Sequence, residues 1–391
     1  MSQLRYELTT DKPFREVDKT GEDHEMWNQS YQELVSKIGV QNCTWFKGPW
    51  LYAECYLYRR LREAILTSKT DLKYQDPFEE YKLNTYTHNR KSTHDLISSL
   101  CPLDENEKDD FGILTNRFRV IMEALLWSNK NDLSLSSGND VSSKLHNLIE
   151  LLDSFKDKIL CDHTNEVWTF LNELKKKKGS NEKPTRIDIV LDNCSIELVS
   201  DLILCDFLLR NEYVDLIYLH AKPYFWFISD VTKHDFDHLF KELQSSNSLV
   251  INRFLSRIKK ALNDGKIVLE HDNQFWNSPY SLHEMERIAP KLYLDLKTNS
   301  SLVFLKGDLN YRKLIGDLNW PFDTPLINAI HTFKPTSLCA VRTIKADLIA
   351  NIDTNLQTNP NYASVINEFK DSTKWMNTGD YAIIQFVQIP N

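Results

Sequence analysis

Five apolar runs in this chain are each followed by residues that could do chemistry. Asp192-Asn193 follows IDIVL (187–191), and His220-Ala221-Lys222 follows VDLIYL (214–219), with Ser229-Asp230 shortly after. His271-Asp272 follows KIVLE (266–270). Lys306-Gly307-Asp308-Leu309-Asn310-Tyr311-Arg312 follows LVFL (302–305), and Arg342-Thr343-Ile344-Lys345 follows LCAV (338–341). Asp192, Asn193 and Asp230 are oxygen donors, which suit a hard or borderline divalent cation such as Mg²⁺ or Mn²⁺. Arg312, Arg342, Lys345 and Lys306 are cations suited to a phosphate dianion. Carboxylates, a metal and several cations together suit phosphoryl transfer from a phosphomonoester, with water or a carboxylate attacking. Alone, an Asp-Asn pair at a strand end is a helix cap. Its company points further.

The elements that would gather these groups are legible in the same runs. After residue 186, short apolar strands, YAIIQFV (381–387) included, alternate with helix-like segments. That pattern predicts an α/β fold with a mainly parallel sheet covered on both faces. In such sheets the carboxyl ends of the strands lie along one edge, where ligands bind. A helix starting just after Asn193 would add its N-terminal amides there. Residues 1–180 read as mostly helical, with apolar residues at three- and four-residue spacing in SYQELVSKIGV, LYAECYLYRRLREAIL, LTNRFRVIMEALLWSN, SSKLHNLIELLDSFKDKIL and VWTFLNELKKKK. The stretch KKKKGSNEKPTR (175–186) reads as the joint between a helical domain, 1–180, and an α/β domain, 181–391.

Two other groupings carry weaker signals. His234 and His238 stand four apart and could hold zinc on a helix, but Asp235 occupies the place of the glutamate in a zinc-protease motif and no third ligand is evident. A solvated helix is the expected outcome. In CTWFKGPWLYAECYLYRRLREAI (43–65), Pro49 fits the first turn of a helix, and Glu54 and Tyr58 share a face. Core packing is the plain reading. The alternative is that Glu54 or Arg59 reaches over the sheet edge as part of a cap on the substrate.

Composition excludes several classes. The 391 residues suit two domains, and 41% hydrophobic residues imply a substantial core. A net charge of −8 disfavours a general nucleic-acid binder. The lysine run 175–178 reads as solvated linker rather than localisation signal. Seven scattered cysteines without a CxxC pair imply reduced thiols in a cytosolic or nuclear protein. The charged start, MSQLRYELTTDKPFREVDK, has no apolar segment of a secretory signal, and no apolar stretch is long enough for a membrane span. The ten glycines are too dispersed for GxGxxG, for a P-loop, or for a glycine-rich adenosyl-methionine loop.

The ordered set Asp192-Asn193, Asp230, KGDLNYRKL (306–314) and RTIK (342–345), with WLYAECYLYRR (50–60) upstream, resembles the metal-dependent damage-control phosphatases. The RTxK signature points to the subfamily acting on sugar phosphates, some of whose members are named acidic-residue, or protein-glutamate O-, methyltransferases. The resemblance spans most of the chain. It implies a helical N-terminal domain on a three-layer α/β/α domain. It also implies a phosphatase supported by Mn²⁺, Co²⁺, Ni²⁺ or Mg²⁺ and acting on fructose 1-phosphate, fructose 6-phosphate and related small phosphorylated metabolites. Asp192, Asn193 and Asp230 would hold the metal, with Asp192 and Asn193 also facing substrate. Asp308, Leu309, Asn310, Tyr311, Arg312 and Lys345 would hold substrate, with Arg342, Glu54 and Arg59 as further candidates. Asp192 and Asp308 are the candidate catalytic carboxylates; if an aspartate attacks, position favours Asp308. Glu197 follows the metal pair on the next helix. Cys194-Ser195 departs from the small residues usual after Asp-Asn, which bears on metal preference. Two other functions compete: adenosyl-methionine-dependent methylation of protein carboxylates, which lacks its glycine-rich loop, and a non-catalytic interaction protein, which would not need a complete metal and phosphate set.

Overall fold

The computed structural model describes residues 2–68, 75–101, 110–128, 141–178, 183–370 and 372–390. The polar joint at 130–140 and the centre of the expected domain joint, 179–182, lie outside them. Seven strands among the described residues form one sheet: β1 (Ile159–Asp162), β2 (Arg186–Val190), β3 (Leu216–His220), β4 (Ile267–Glu270), β5 (Ser300–Lys306), β6 (Ser337–Thr343) and β7 (Ala382–Val387). Their order is β1-β7-β6-β5-β2-β3-β4. Five run parallel, β7 is antiparallel to β6, and β1 pairs parallel to β7 at the edge.

β2 is buried at every position, as a strand covered on both faces must be. From it the chain steps through β3 to β4, then returns to place β5 on the other side of β2. The connections leaving β2 and β5 therefore diverge. A crevice opens between their carboxyl ends, at the switch point where α/β sheets bind ligands.

Helices α1 (Ser2–Thr9), α2 (His24–Ile38), α3 (Trp50–Leu66), α4 (Glu79–Leu100), α5 (Phe111–Trp127), α6 (Val141–Asp153) and α7 (Thr164–Lys177) precede β2. After it come α8 (Ile196–Arg210), α9 (Lys233–Gln244), α10 (Leu249–Asn263), α11 (Met285–Ile288), α12 (Pro290–Asn299), α13 (Gly307–Leu314), α14 (Leu326–Ala329) and α15 (Pro360–Phe369). One face of the sheet, with Ile187, Ile189, Leu302 and Phe304, packs under α8, whose Ile203 and Phe207 share a core with Phe118, Trp127 and Trp168 from α5 and α7. The hydrophobic core is thus continuous across the expected joint. The other face, with Val190, Val303 and Leu305, packs on Trp276, Leu296 and Leu314. A third, aromatic cluster joins Phe14, Trp27, Trp45, Tyr52 and Tyr56 to Trp226 and Leu309.

One segment departs from the sequence reading. Helical spacing extends through SSKLHNLIELLDSFKDKIL, yet α6 ends at Asp153 and Ile159–Asp162 joins the sheet as β1. Ile159 and Leu160 are the reason. They bury into opposite faces of the sheet, one in each of the two large clusters, which a strand permits through its period of two.

Candidate active site

The loops after β2 and β3 are hydrogen-bonded to each other. The Val231 amide donates to the Asp192 carbonyl at 2.8 Å, and the Cys194 amide donates to the Ser229 carbonyl at 2.8 Å. Asn193 and Asp230 form an antiparallel bridge between them. Residues 35 to 39 apart in sequence are so held together at the switch point. The cap of α8 is Ser195, with φ +66° and no capping hydrogen bond from its side chain. Capping therefore does not account for Asp192 and Asn193. The Asn193 amide nitrogen instead donates to Asp192 Oδ2 at 2.7 Å and to Glu197 Oε2 at 3.0 Å, while its oxygen accepts from Ser229 Oγ at 2.5 Å.

Acidic groups crowd this spot. Burial, then the charges of Glu197 and Asp230, push the Asp192 carboxyl well above the usual range, against the opposing pull of Lys345 and Lys222. Burial pushes Asp230 up to about 6, against Lys222 and Lys82. Asp230 Oδ2 has no hydrogen-bond partner; the nearest cation, Lys222 Nζ, is 3.6 Å away. Lys222 is itself buried and reaches the Leu191 carbonyl at 3.4 Å and Asn310 Oδ1 at 3.5 Å, tying the loops after β2 and β3 to α13. Gly307 has φ +84°, and a Cβ there would lie 2.0 Å from Asp192 Oδ2. The carboxylate occupies the space that any other residue would fill. Burial drives the Cys194 thiol up to about 12, so at neutral pH it is a protonated thiol beside the site.

The other expected site residues divide. Asp308, in the first turn of α13, accepts at Oδ1 from Arg342 Nε at 2.7 Å and from the Lys345 amide at 3.0 Å. Arg342 is fully buried and also donates to the carbonyls of Leu348 and Ala346, so it shapes the loop carrying Lys345. Lys345 is exposed. Lys306 is buried, 2.9 Å from Asp201 Oδ1 and 3.5 Å from Glu197 Oε1. Arg312 pairs with Glu54 at 2.6 Å and with Asp317 at 2.8 Å, so α3 does bring Glu54 to α13 beside this edge. Asn310 donates to the Lys306 carbonyl at 2.7 Å. Leu309 packs in the aromatic cluster, and the Tyr311 hydroxyl lies in the core against Gln385 at 3.0 Å.

Arg59 does not reach the edge. Its guanidinium is fully buried, 3.0 Å from Asp23 Oδ1, and it donates to the Thr20 carbonyl. His234 pairs with Glu79 at 3.0 Å and His238 lies 3.9 Å from Glu242; no group of three or more His, Cys, Asp or Glu side chains arranged for a metal occurs among the described residues.

Sequence reasoning missed the contribution of α4. Lys82 is buried, pairs with Asp235 at 2.7 Å and Asp76 at 2.8 Å, and donates to the Asp230 carbonyl at 3.2 Å. Its only signal was a lysine four residues before Tyr86, on the face that turns inward. Between α4 and the start of α8 lies a cleft of about 390 Å³, reaching Asn193, Glu197 and Ser229.

Comparison with known proteins adds to this geometry. Residues 1–359 match the family described as the damage-control phosphatase ARMT1-like domain. The human protein named damage-control phosphatase ARMT1 is 37% identical over 395 residues, covering 99% of this chain and 85% of its own length. Its namesake from Danio rerio is 37% identical over 389 residues, covering 99% and 84%. That from Xenopus laevis is 35% identical over 393 residues, covering 98% and 85%. A crystal structure of a DUF89 family protein from Pyrococcus horikoshii aligns over 90% of this chain and 93% of its own, at 15% identity and a TM-score of 0.43. No helix among the described residues is long and apolar enough to cross a membrane.

Proposed function

This chain belongs to the damage-control phosphatase ARMT1-like family, and from that premise we propose that it is a divalent-metal-dependent phosphatase of small sugar phosphates such as fructose 1-phosphate and fructose 6-phosphate. One observation carries the reading: Asp192, Asn193 and Asp230 converge at the switch point, with both carboxyls pushed upward chiefly by burial.

The donor set suits Mn²⁺, Co²⁺, Ni²⁺ or Mg²⁺. All three side chains offer oxygen, Asp230 Oδ2 is buried without a hydrogen-bond partner, and both carboxyls are pushed upward, chiefly by burial. When bound, the cation would polarise the phosphoryl oxygens. The chain's own residues supply the rest. Lys345 meets the phosphate as an exposed cation. Asp308 is held through Oδ1 alone by Arg342 and the Lys345 amide, which leaves Oδ2 without a protein partner among the described residues. That oxygen is available to attack phosphorus or to take a proton from water. Arg342 acts on the site through Asp308, and Lys222 through Asp230.

The test is a panel of metals against substrates. Purified protein with Mn²⁺ or Co²⁺ should release phosphate from fructose 1-phosphate and stop when EDTA is added. Release that persists in EDTA would overturn the metal assignment; no release under any of the four metals would overturn the activity.

A further inference from the structure

The cleft beside Asn193 has one wall unlike the rest of the site. Its floor holds Asn193, Glu197 and Ser229, while its roof is a stripe of α4. Tyr81, Asn84, Thr85 and His88 recur at three- and four-residue spacing and so share one helix face. The opposite face is anchored: Lys82 is locked to Asp235 and to the Asp230 carbonyl. The roof is therefore set in position by a bond to a candidate metal-holding residue.

Lysine and arginine are absent from the cleft lining. The exposed cation of the site, Lys345, sits instead on the connection after β6, beyond the buried and ion-paired Lys306 and Arg342 at the ends of β5 and β6. Phosphate recognition belongs to that cationic side. What remains over the cleft is neutral and able both to donate and to accept. Asn84 is exposed and lines the cleft. His88 Nδ1 donates to the Asn84 carbonyl at 2.7 Å, which leaves Nε2 for a ligand, and in a neutral ring Nε2 accepts. The cleft volume lies in the range of small-molecule sites, roughly 300–1,000 Å³. Hydroxyl groups match such a wall, because each donates and accepts at once; a bare aromatic ring would leave its amides unpaired.

We propose that Asn84 and His88 of α4 read hydroxyl groups on the leaving group, and so select phosphate esters of uncharged, polyhydroxylated carbon chains. This rests on the phosphatase reading above and assigns the residues that set its substrate preference.

The experiment compares kcat/KM for a hexose phosphate and for phenyl phosphate, with one metal, in the wild type and in Asn84→Ala/His88→Ala. The preference for the hexose ester should fall tenfold or more, carried by its KM. His88→Gln in the Asn84→Ala background keeps an acceptor and should recover part of it. Both side chains are exposed, so the variants are expected to fold, as circular dichroism would check; if the double variant does not, Asn84→Ser and His88→Gln singly give the same ratio test. A preference within twofold of wild type in every folded variant overturns this inference alone. A wild-type protein that hydrolyses neither ester overturns the phosphatase reading and this inference with it.

Discussion

Asp188 and Asp192 stand four residues apart at the end of one strand, both nearly closed to solvent, with opposite electrostatic surroundings. Asp188, inside β2, faces Arg186 Nη2 and His220 Nε2, each 2.7 Å from Oδ1. Burial alone would push its carboxyl upward, but the hydrogen bonds and charges of His220 and Arg186 more than offset this and hold it below the usual range. Asp192, just past the strand, is pushed up by burial and again by Glu197 and Asp230. A carboxylate that serves the fold is given its cations by the chain. One pushed up by burial and by neighbouring acids marks a candidate functional site.

The largest test of this contrast removes the satisfied partner. Asp188→Ala strands a buried histidine and part of an arginine, and should lower stability by about 3–5 kcal/mol in urea denaturation. Asp192→Ala should do the reverse: abolish phosphate release while leaving the metal-free protein at least as stable as wild type at neutral pH, since the carboxyl it removes is held well above its ordinary range. If it destabilised the protein as much as Asp188→Ala, the contrast would collapse.

The pH dependence gives the next effect, with opposite signs. Between the unfolded value near ~3.9 and the folded value of about 6, Asp230 keeps a proton that the unfolded chain has released. Stability of the metal-free protein therefore falls as pH rises through that window. Asp201, pushed up to about 6 chiefly by burial, adds to the same slope. Asp188 acts the other way: its contribution is present above its unfolded value and is lost as pH falls through its lowered folded value. Urea midpoints in EDTA from acid to neutral pH, in wild type and Asp230→Asn, measure the first term. An identical slope in both would remove Asp230 from it. The smallest effect is expected at Lys345. Lys345→Ala should raise the KM for a sugar phosphate roughly tenfold and change stability by less than about 0.5 kcal/mol; an unchanged KM would take the lysine out of the site.

Much of the sheet was legible because buried parallel strands advertise themselves as short apolar runs: LVFL and LCAV lie wholly in strands, and IDIVL does so but for Leu191. The polar residues behind them were legible because the sheet's geometry puts its carboxyl ends on one edge. Residue type showed which groups could carry charge, but not which partners they would find. Arg312 and Arg342 read as phosphate cations, yet their guanidiniums are bound by Glu54 and Asp317 in one case and by Asp308 in the other. Arg59 read as a possible cap residue and is held by Asp23, a residue with no motif around it. Lys82 and the polar stripe of α4 lie more than a hundred residues before Asp192, on a helix whose spacing is ordinary. Only packing brings such residues to a site.

Gly307 shows how such a site weighs on heredity. The residue offers no chemistry, yet its backbone is left-handed and its missing Cβ is where Asp192 rests its carboxylate. Every single-base change that replaces a glycine introduces a Cβ. A missense change in this one codon therefore strains the turn and dislodges the aspartate together, and even alanine is too large. In sequenced populations, a substitution here is expected to abolish phosphate release, as an assay of Gly307→Ala would check.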